Sequence, residues 1–266
     1  MDAVPAITGA DPHAVRVSTL VRRRSSPGPL GLGLNDMETS LHRALKELYC
    51  TQDSRIEATV RGYRADVLQG ELIVEVQASP LGAIARKVAD LVKSHRVLVV
   101  KPLTRRKVLL RSGGDGEWNM RRLSPKKGKL LDIFDELVHF TRVFPHPNLS
   151  VEIILIDEEE MRVPRRRRRF RGPDYRIHDR RLVQVIERRH ISSSHDLLDL
   201  LPRDLPTPLT SQTLAQSLSC PEWLARKVMY TLRHCGAARM TGKSGNRLIY
   251  ELEPRRPPGE PVMVAC

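Results

Sequence analysis

"YRADVLQGELIVEVQAS", residues 63–79, is the stretch that decides the fold. Its second half is an apolar strand, Glu71 to Gln77, into which Glu75 and Gln77 are set two residues apart. Residues two apart on a strand share a face, so Glu75 and Gln77 project together while Val74 and Val76 bury on the other side. The preceding run, Arg64 to Leu68, carries Asp66, and Gln69-Gly70 between them has the composition of a tight hairpin. Pairing of the two strands brings Asp66 near Glu75. Two bare carboxylates held close repel each other and are costly to bury. A divalent cation between them removes that cost, and hard oxygen ligands suit Mg²⁺ or Mn²⁺. The alternative is a salt-bridged pair neutralised by Arg61 or Arg64 on half-exposed strands.

Outward from this stretch the pattern alternates between helix and strand. Asn35 or Asp36 can cap a helix running to about Cys50, and Ile56 to Val60 reads as a strand. Leu81 to His95 has helical spacing, with Leu81, Ile84, Val88, Leu91 and Val92 on one face. Val97 to Val100 is a short, fully apolar strand of the buried kind. Lys107 to Arg111 reads as another strand, Gly128 to Arg142 as a helix and Val151 to Ile156 as a strand. The expected fold class is α/β.

At this point the residues resemble a family. Asp66 followed by Glu75-Val76-Gln77, in the α-β-β-β-α-β order, looks like the PD-(D/E)XK nuclease superfamily with its restriction-endonuclease-like core. The phrase "RADVL…VEVQAS" is most similar to the subgroup with glutamine in place of the usual lysine, as in competence-associated CoiA-like nucleases. The resemblance covers about Asn35 to Pro102. It implies that Asp66 and Glu75 are metal ligands, joined by the Val76 backbone carbonyl, with Mg²⁺ or Mn²⁺ as the ion. It implies that Gln77 occupies the place of the lysine that polarises the scissile phosphate or its attacking water. Lys87, at the edge of the apolar arc of the following helix, is a candidate cationic helper, although a surface lysine with a buried stem is the preferred reading. Many members carry a glutamate on the first helix. Glu38, about 60° from Leu41 on the wheel, is chosen over Glu47, against the alternative of a first-turn acid favoured by the helix dipole.

The chain has 266 residues and a formal charge of +14, with 45 Lys and Arg against 31 Asp and Glu. An excess of that size favours a polyanionic partner, because each phosphate contact releases a condensed counterion. Aromatics are only 4%, which weighs against a stacking platform for single-stranded RNA or DNA. Four scattered cysteines without a CxxC pair point to free thiols in a reducing compartment. No apolar run approaches the ~20 residues a membrane helix needs, and the N-terminus does not read as a secretion signal. A cytoplasmic location and no membrane partner are expected.

Domain organisation follows composition. Residues 1–34 are Pro-, Gly- and Ser-rich and read as a flexible arm, followed by the nuclease-like domain over 35–160. Residues 161–180 contain the block Arg165, Arg166, Arg167, Arg168 and Arg169, read as a phosphate-tracking linker. Residues 181–254 give helix, short helix (Ser211 to Leu218), turn, helix (Pro221 to His234) and a hairpin with a Gly-Lys-Ser-Gly-Asn tip. That is the order of a winged helix-turn-helix. Arg226, Tyr230 and Arg233 lie opposite the apolar arc of the second helix, as a DNA-reading face requires, and Lys243 and Arg247 sit near the wing tip. Residues 255–266 read as a tail. DNA is the favoured partner, and a homodimer is left open. The expected function is metal-dependent hydrolysis of DNA phosphodiesters. The alternative is a DNA-binding regulator or scaffold whose nuclease-like domain is inactive.

Overall fold

Gln69-Gly70 does form the tight turn, with Gly70 at φ +55° joining strands β2 (Tyr63–Gln69) and β3 (Leu72–Val76). The computed structural model describes residues 38–113, 117–118, 120–165 and 173–255. The 1–34 arm, Arg166 to Arg169 and the tail from residue 256 lie outside the described residues. The described residues all belong to the unit Met37–Cys266.

Strand β1 (Arg55–Val60) meets β2 through Arg61-Gly62, whose φ values of +51° and +79° are those of a tight hairpin turn. β3 pairs in parallel with β4 (Arg96–Arg111), which pairs in parallel with β6 (Leu149–Pro164). β6 pairs antiparallel with β7 (Tyr175–Ile191), and the short β5 (Met120–Leu123) lies antiparallel on the end of β4. The result is one mixed seven-stranded sheet.

Helices cover both faces, as the near-continuous apolar strands at the centre require. Helix α1 (Ser40–Glu47) lays Leu41 and Leu45 against Val67, Val74, Val76, Val100, Ile154 and Ile156. Full burial of such side chains contributes about 2 kcal/mol each. Helix α2 (Ala85–Leu91), preceded by a 3-10 turn at Leu81–Ile84, and helix α3 (Ile133–Leu137) bury Val88, Leu91, Phe134 and Leu137 on the opposite face. The later elements join this second core. They are α4 (Ser194–Leu198), α5 (Ser211–Ser217), α6 (Glu222–His234) and the hairpin of β8 (Ala238–Ser244) with β9 (Arg247–Leu252).

Several expectations are corrected. The first helix is capped by Thr39, whose hydroxyl accepts from the His42 amide, so Glu38 precedes the helix. The helix expected over 128–142 contracts to a turn at Leu130–Asp132 and α3. The two strands expected at 97–100 and 107–111 are one 16-residue strand. Pro102 hid this continuity, because a proline inside a central strand reads as a break. It is tolerated because β3 pairing ends at Val76↔Val100 and β5 pairing begins only at Val108↔Leu123. A short chain segment covers that gap, with Gly128 donating to the Thr104 carbonyl at 2.9 Å. A Cβ at Gly128 would stand 2.5 Å from that oxygen, so only glycine allows the approach.

The arginine-rich linker at 161–180 and the helix expected from Arg181 are also corrected. Residues through Pro164 and from Tyr175 to Ile191 are the two arms of the β6/β7 ladder. β7 reads as polar and basic because it is an edge strand with much of its length exposed, which erases the alternation of a half-buried strand. The expected separation between nuclease-like and C-terminal domains is absent from the core. Val228, Leu232 and Ala238 share one apolar cluster with Val60, Leu91 and Phe134. Lys227 is ion-paired to Asp135, and the Cys235 thiol faces the Phe144 carbonyl.

Candidate functional site

The β2/β3 ladder ends at Val67↔Val74, one step before Asp66 and Glu75 would face each other. There the strands part, and a side chain takes over from the backbone: the Val76 amide donates to Asp66 Oδ2 at 2.8 Å. In extended backbone a residue's N–H and C=O point to the same side, so the Val76 carbonyl is directed toward the same opening. His42 of α1 approaches the other oxygen, with Nε2 3.3 Å from Asp66 Oδ1. Asp66 is thereby fixed from two sides.

Glu75 is 4% exposed. Its Oε2 receives Lys87 Nζ of α2 at 2.6 Å, and the same ammonium donates to the Arg64 carbonyl at 2.5 Å. Its Oε1 is buried and has no hydrogen-bond partner among the described residues. A buried carboxylate oxygen without a donor carries a desolvation cost that native structures rarely leave unmet.

The two carboxyls titrate in opposite directions. Burial pushes Glu75 up to about 6; Lys87 and, more weakly, the Asp66 backbone N–H oppose that shift, and the Asp66 charge adds to it. Burial would raise Asp66 as well, but the bonds from His42 and the Val76 amide outweigh it and hold Asp66 below the usual carboxylate range. An adjacent pair driven apart in this way is the electrostatic pattern of working acid sites.

A second layer supports the pair. Lys46 of α1 is buried, lying 2.6 Å from Glu38 Oε1 and 3.2 Å from Glu57 Oε1. Its burial works against the charge, yet the two glutamates leave its pKa raised. Glu57 is also paired to Arg64 and has φ +57°, an uncommon conformation for a non-glycine residue. Glu38 also lies 3.7 Å from His42. On the far side Lys101, 3% exposed at the sheet centre, bonds the Ser79 carbonyl at 2.7 Å and Glu136 at 3.1 Å. Glu136 in turn accepts from the Leu81 amide at 2.9 Å. These bonds pin the loop between β3 and α2, the helix that carries Lys87.

Asp66, Glu75, Val76 and Lys87 therefore come together, with Glu38 one contact away. Lys87 is a partner of the buried acid rather than the surface lysine preferred from sequence. Gln77 is not brought in: its amide donates to the Pro80 carbonyl at 3.0 Å and closes its own loop. His42, Lys46, Glu57 and Lys101 were not singled out from sequence. His42 and Lys46 are i, i+4 neighbours on α1, with Glu38 one turn's spacing ahead of them just before the cap, a spacing readable in the sequence. The conformation of Glu57 and the burial of Lys101 had no local signature.

Among the described residues no group of three or more His, Cys, Asp or Glu is arranged to hold a metal ion. Two carboxylates and a carbonyl are nonetheless a suitable set for a hard cation that keeps several waters, and the unpartnered Glu75 Oε1 fits that use.

The residues proposed to touch DNA lie elsewhere. On α6, Arg226, Tyr230 and Arg233 are exposed on one stripe, with Tyr230 stacked on His234 at 3.9 Å and Arg226 bonded to Glu222. Lys243 and Arg247 are exposed beside the β8/β9 turn. Arg165 is exposed at the end of β6, its amide donating to the Asp174 carbonyl at 3.0 Å. No helix among the described residues is long and apolar enough to cross a membrane. Cys50, Cys220 and Cys235 are free thiols.

Comparison with known proteins adds a family. Residues 39–192 match a family model described as a domain of unknown function (DUF8091). That range runs from the cap of α1 to the end of the large sheet and includes Asp66, Glu75 and Lys87. A Treponema pallidum (strain Nichols) protein described as "Uncharacterized protein" is 34% identical over 229 residues, spanning 83% of this chain and 89% of its own length. No solved structure matches. The family model covers more than half of the chain, which establishes that the chain belongs to the DUF8091 family.

Proposed function

We propose that the protein is a metal-dependent nuclease of PD-(D/E)XK type, hydrolysing DNA phosphodiesters, with α5, α6 and the β8/β9 hairpin acting as a DNA-holding winged helix. The observation that carries the reading is Glu75 Oε1, a buried acceptor without a donor, beside Asp66 at the point where β2 and β3 part. The order α1, β1–β3, α2, β4 around that point supports a restriction-endonuclease-like core. Asp66, Glu75 and the Val76 carbonyl would hold Mg²⁺ or Mn²⁺. Bound there, such an ion supplies a water of lowered pKa and charge stabilisation on the phosphodiester. Lys87 holds a positive charge against Glu75 and takes the role assigned to the missing motif lysine. His42 and the Val76 amide orient Asp66. Lys46 keeps Glu38 and Glu57 in place.

The test uses purified full-length protein with Mg²⁺ or Mn²⁺ on linear and circular DNA, with RNA as competitor. Cleavage is expected, falling at least ~100-fold in Glu75→Ala and Asp66→Asn, the scale of losing an electrostatic stabiliser. Unaltered cleavage in Glu75→Ala contradicts the assignment.

The bond from Gln77 to Pro80 favours a second reading, a DNA-binding regulator or scaffold with an inactive nuclease-like domain. It predicts DNA retention that weakens steeply with salt and no metal-dependent hydrolysis.

A further inference from the structure

Beyond the carboxylate site, the far end of the large sheet gathers arginines around one pocket. Arg111 of β4, Arg121 and Arg122 of β5 and Arg162 of β6 line it, together with Asp174 and Tyr175. The sheet register forces this crowding, because Arg111 is the direct partner of Arg162 and Arg121 the partner of Leu110. Like charges placed opposite each other on neighbouring strands destabilise a sheet. Here they are arranged rather than dispersed. The Arg162 guanidinium lies 3.9 Å over the Tyr175 ring and 2.5 Å from Glu160. Arg111 is 2.7 Å from Asp174, and Arg121 is 3.3 Å from Glu159. Arg122 is exposed and has no ion-pair partner among the described residues. Each guanidinium has five N–H donors in a planar fork. One tethering acid engages only part of that fork, so each tethered arginine is oriented while keeping donors for a ligand.

We propose that this pocket binds backbone phosphates of a polynucleotide and is an anchoring site separate from the carboxylate cluster. Planar forks held in position match phosphate oxygens bidentately, and the tyrosine under Arg162 reduces the freedom lost on binding. On the nuclease reading proposed above, on which this step rests, distance points to a polymer. Glu75 is in register with Val99, and Arg111 lies twelve residues further along the same strand. At roughly 3.3 Å per residue that is about 40 Å, or on the order of a dozen nucleotides of duplex at ~3.4 Å each. A mononucleotide cannot touch both places; a DNA segment of a few helical turns can.

The experiment measures binding of 10- and 30-base-pair duplexes in EDTA, across a salt series, to the wild type, Arg122→Gln and Arg121→Glu/Arg122→Glu. Arg203→Glu, an exposed charge change outside the pocket, is the control. The double variant is expected to bind the 30-base-pair duplex at least tenfold more weakly. Its slope of log K against log salt is expected to drop by about 2, one unit per lost phosphate contact. Arg122→Gln, which removes no tether, should show part of the loss while melting like the wild type. Equal effects of Arg203→Glu and the double variant would overturn the proposal. So would pyrophosphate raising the melting temperature of the wild type alone while DNA affinity is the same in all variants, since the pocket would then serve a small phosphorylated ligand. Binding in EDTA does not depend on hydrolysis, so an inactive carboxylate site leaves this result unchanged.

Discussion

Glu75 carries an electrostatic cost that its neighbours do not remove. Lys87 meets one oxygen, Asp66 repels from beside it, and the other oxygen is buried without a donor. The cost has a measurable sign. Its folded pKa of about 6 lies above the ordinary value of 4.5, so the folded state binds the extra proton between those pH values. The stabilisation is complete below the unfolded pKa and is lost as pH rises through about 6. At 1.36 kcal/mol per pKa unit it amounts to roughly 2 kcal/mol. Melting curves in metal-free buffer are expected to show stability falling across that window. Glu75→Gln should remove the slope and be up to about 2 kcal/mol more stable at pH 7, while losing cleavage. A pH-independent difference between the two proteins would contradict the electrostatic account. A carboxylate whose charge carries such a cost is suited to a cation, because a bound ion offsets it.

At the scale of elements, the hairpin and the two helices of the C-terminal module were legible because turn residues and 3.6-residue periodicity act locally. β4 and β7 were not. Pro102 looked like an interruption because a lone strand does not reveal that its neighbour has already ended there. β7 reads as linker up to residue 180 and as helix from Arg181, because an exposed, arginine-rich edge lacks the apolar alternation of a strand. The same limit applies to the site. Asp66 and Glu75 were found from strand alternation, whereas Lys101 was not, since its burial depends on Glu136 from a distant helix. That pair holds the loop leading from β3 to α2, and with it the helix that presents Lys87. Lys101→Met is therefore expected to destabilise the fold by about 3 kcal/mol, the scale of breaking a buried ion pair, as read from urea unfolding. A change within 0.5 kcal/mol, the scale of an ordinary surface substitution, would show that the loop is held by other contacts.

At the scale of the whole molecule, the sheet is a continuous support with carboxylates at the parting of β2 and β3 and arginines at its far end. A second basic surface, the exposed stripe of α6, shares a core with the sheet, and the Lys227–Asp135 pair ties its helix to α3. Composition announced the positive excess but not its division into places, because charge counts contain no geometry. The core that joins α6 to the sheet was likewise invisible, since each helix's apolar face shows that it is buried but not against what. The most direct measurement of the central claim is a crystal grown or soaked with Mn²⁺ and examined by anomalous scattering. The account predicts a peak between Asp66 and Glu75 Oε1, with the Val76 carbonyl turned toward it, and no such peak in Glu75→Ala. Absence of the peak at saturating Mn²⁺, with Glu75 Oε1 bonded instead to a protein donor, would contradict it.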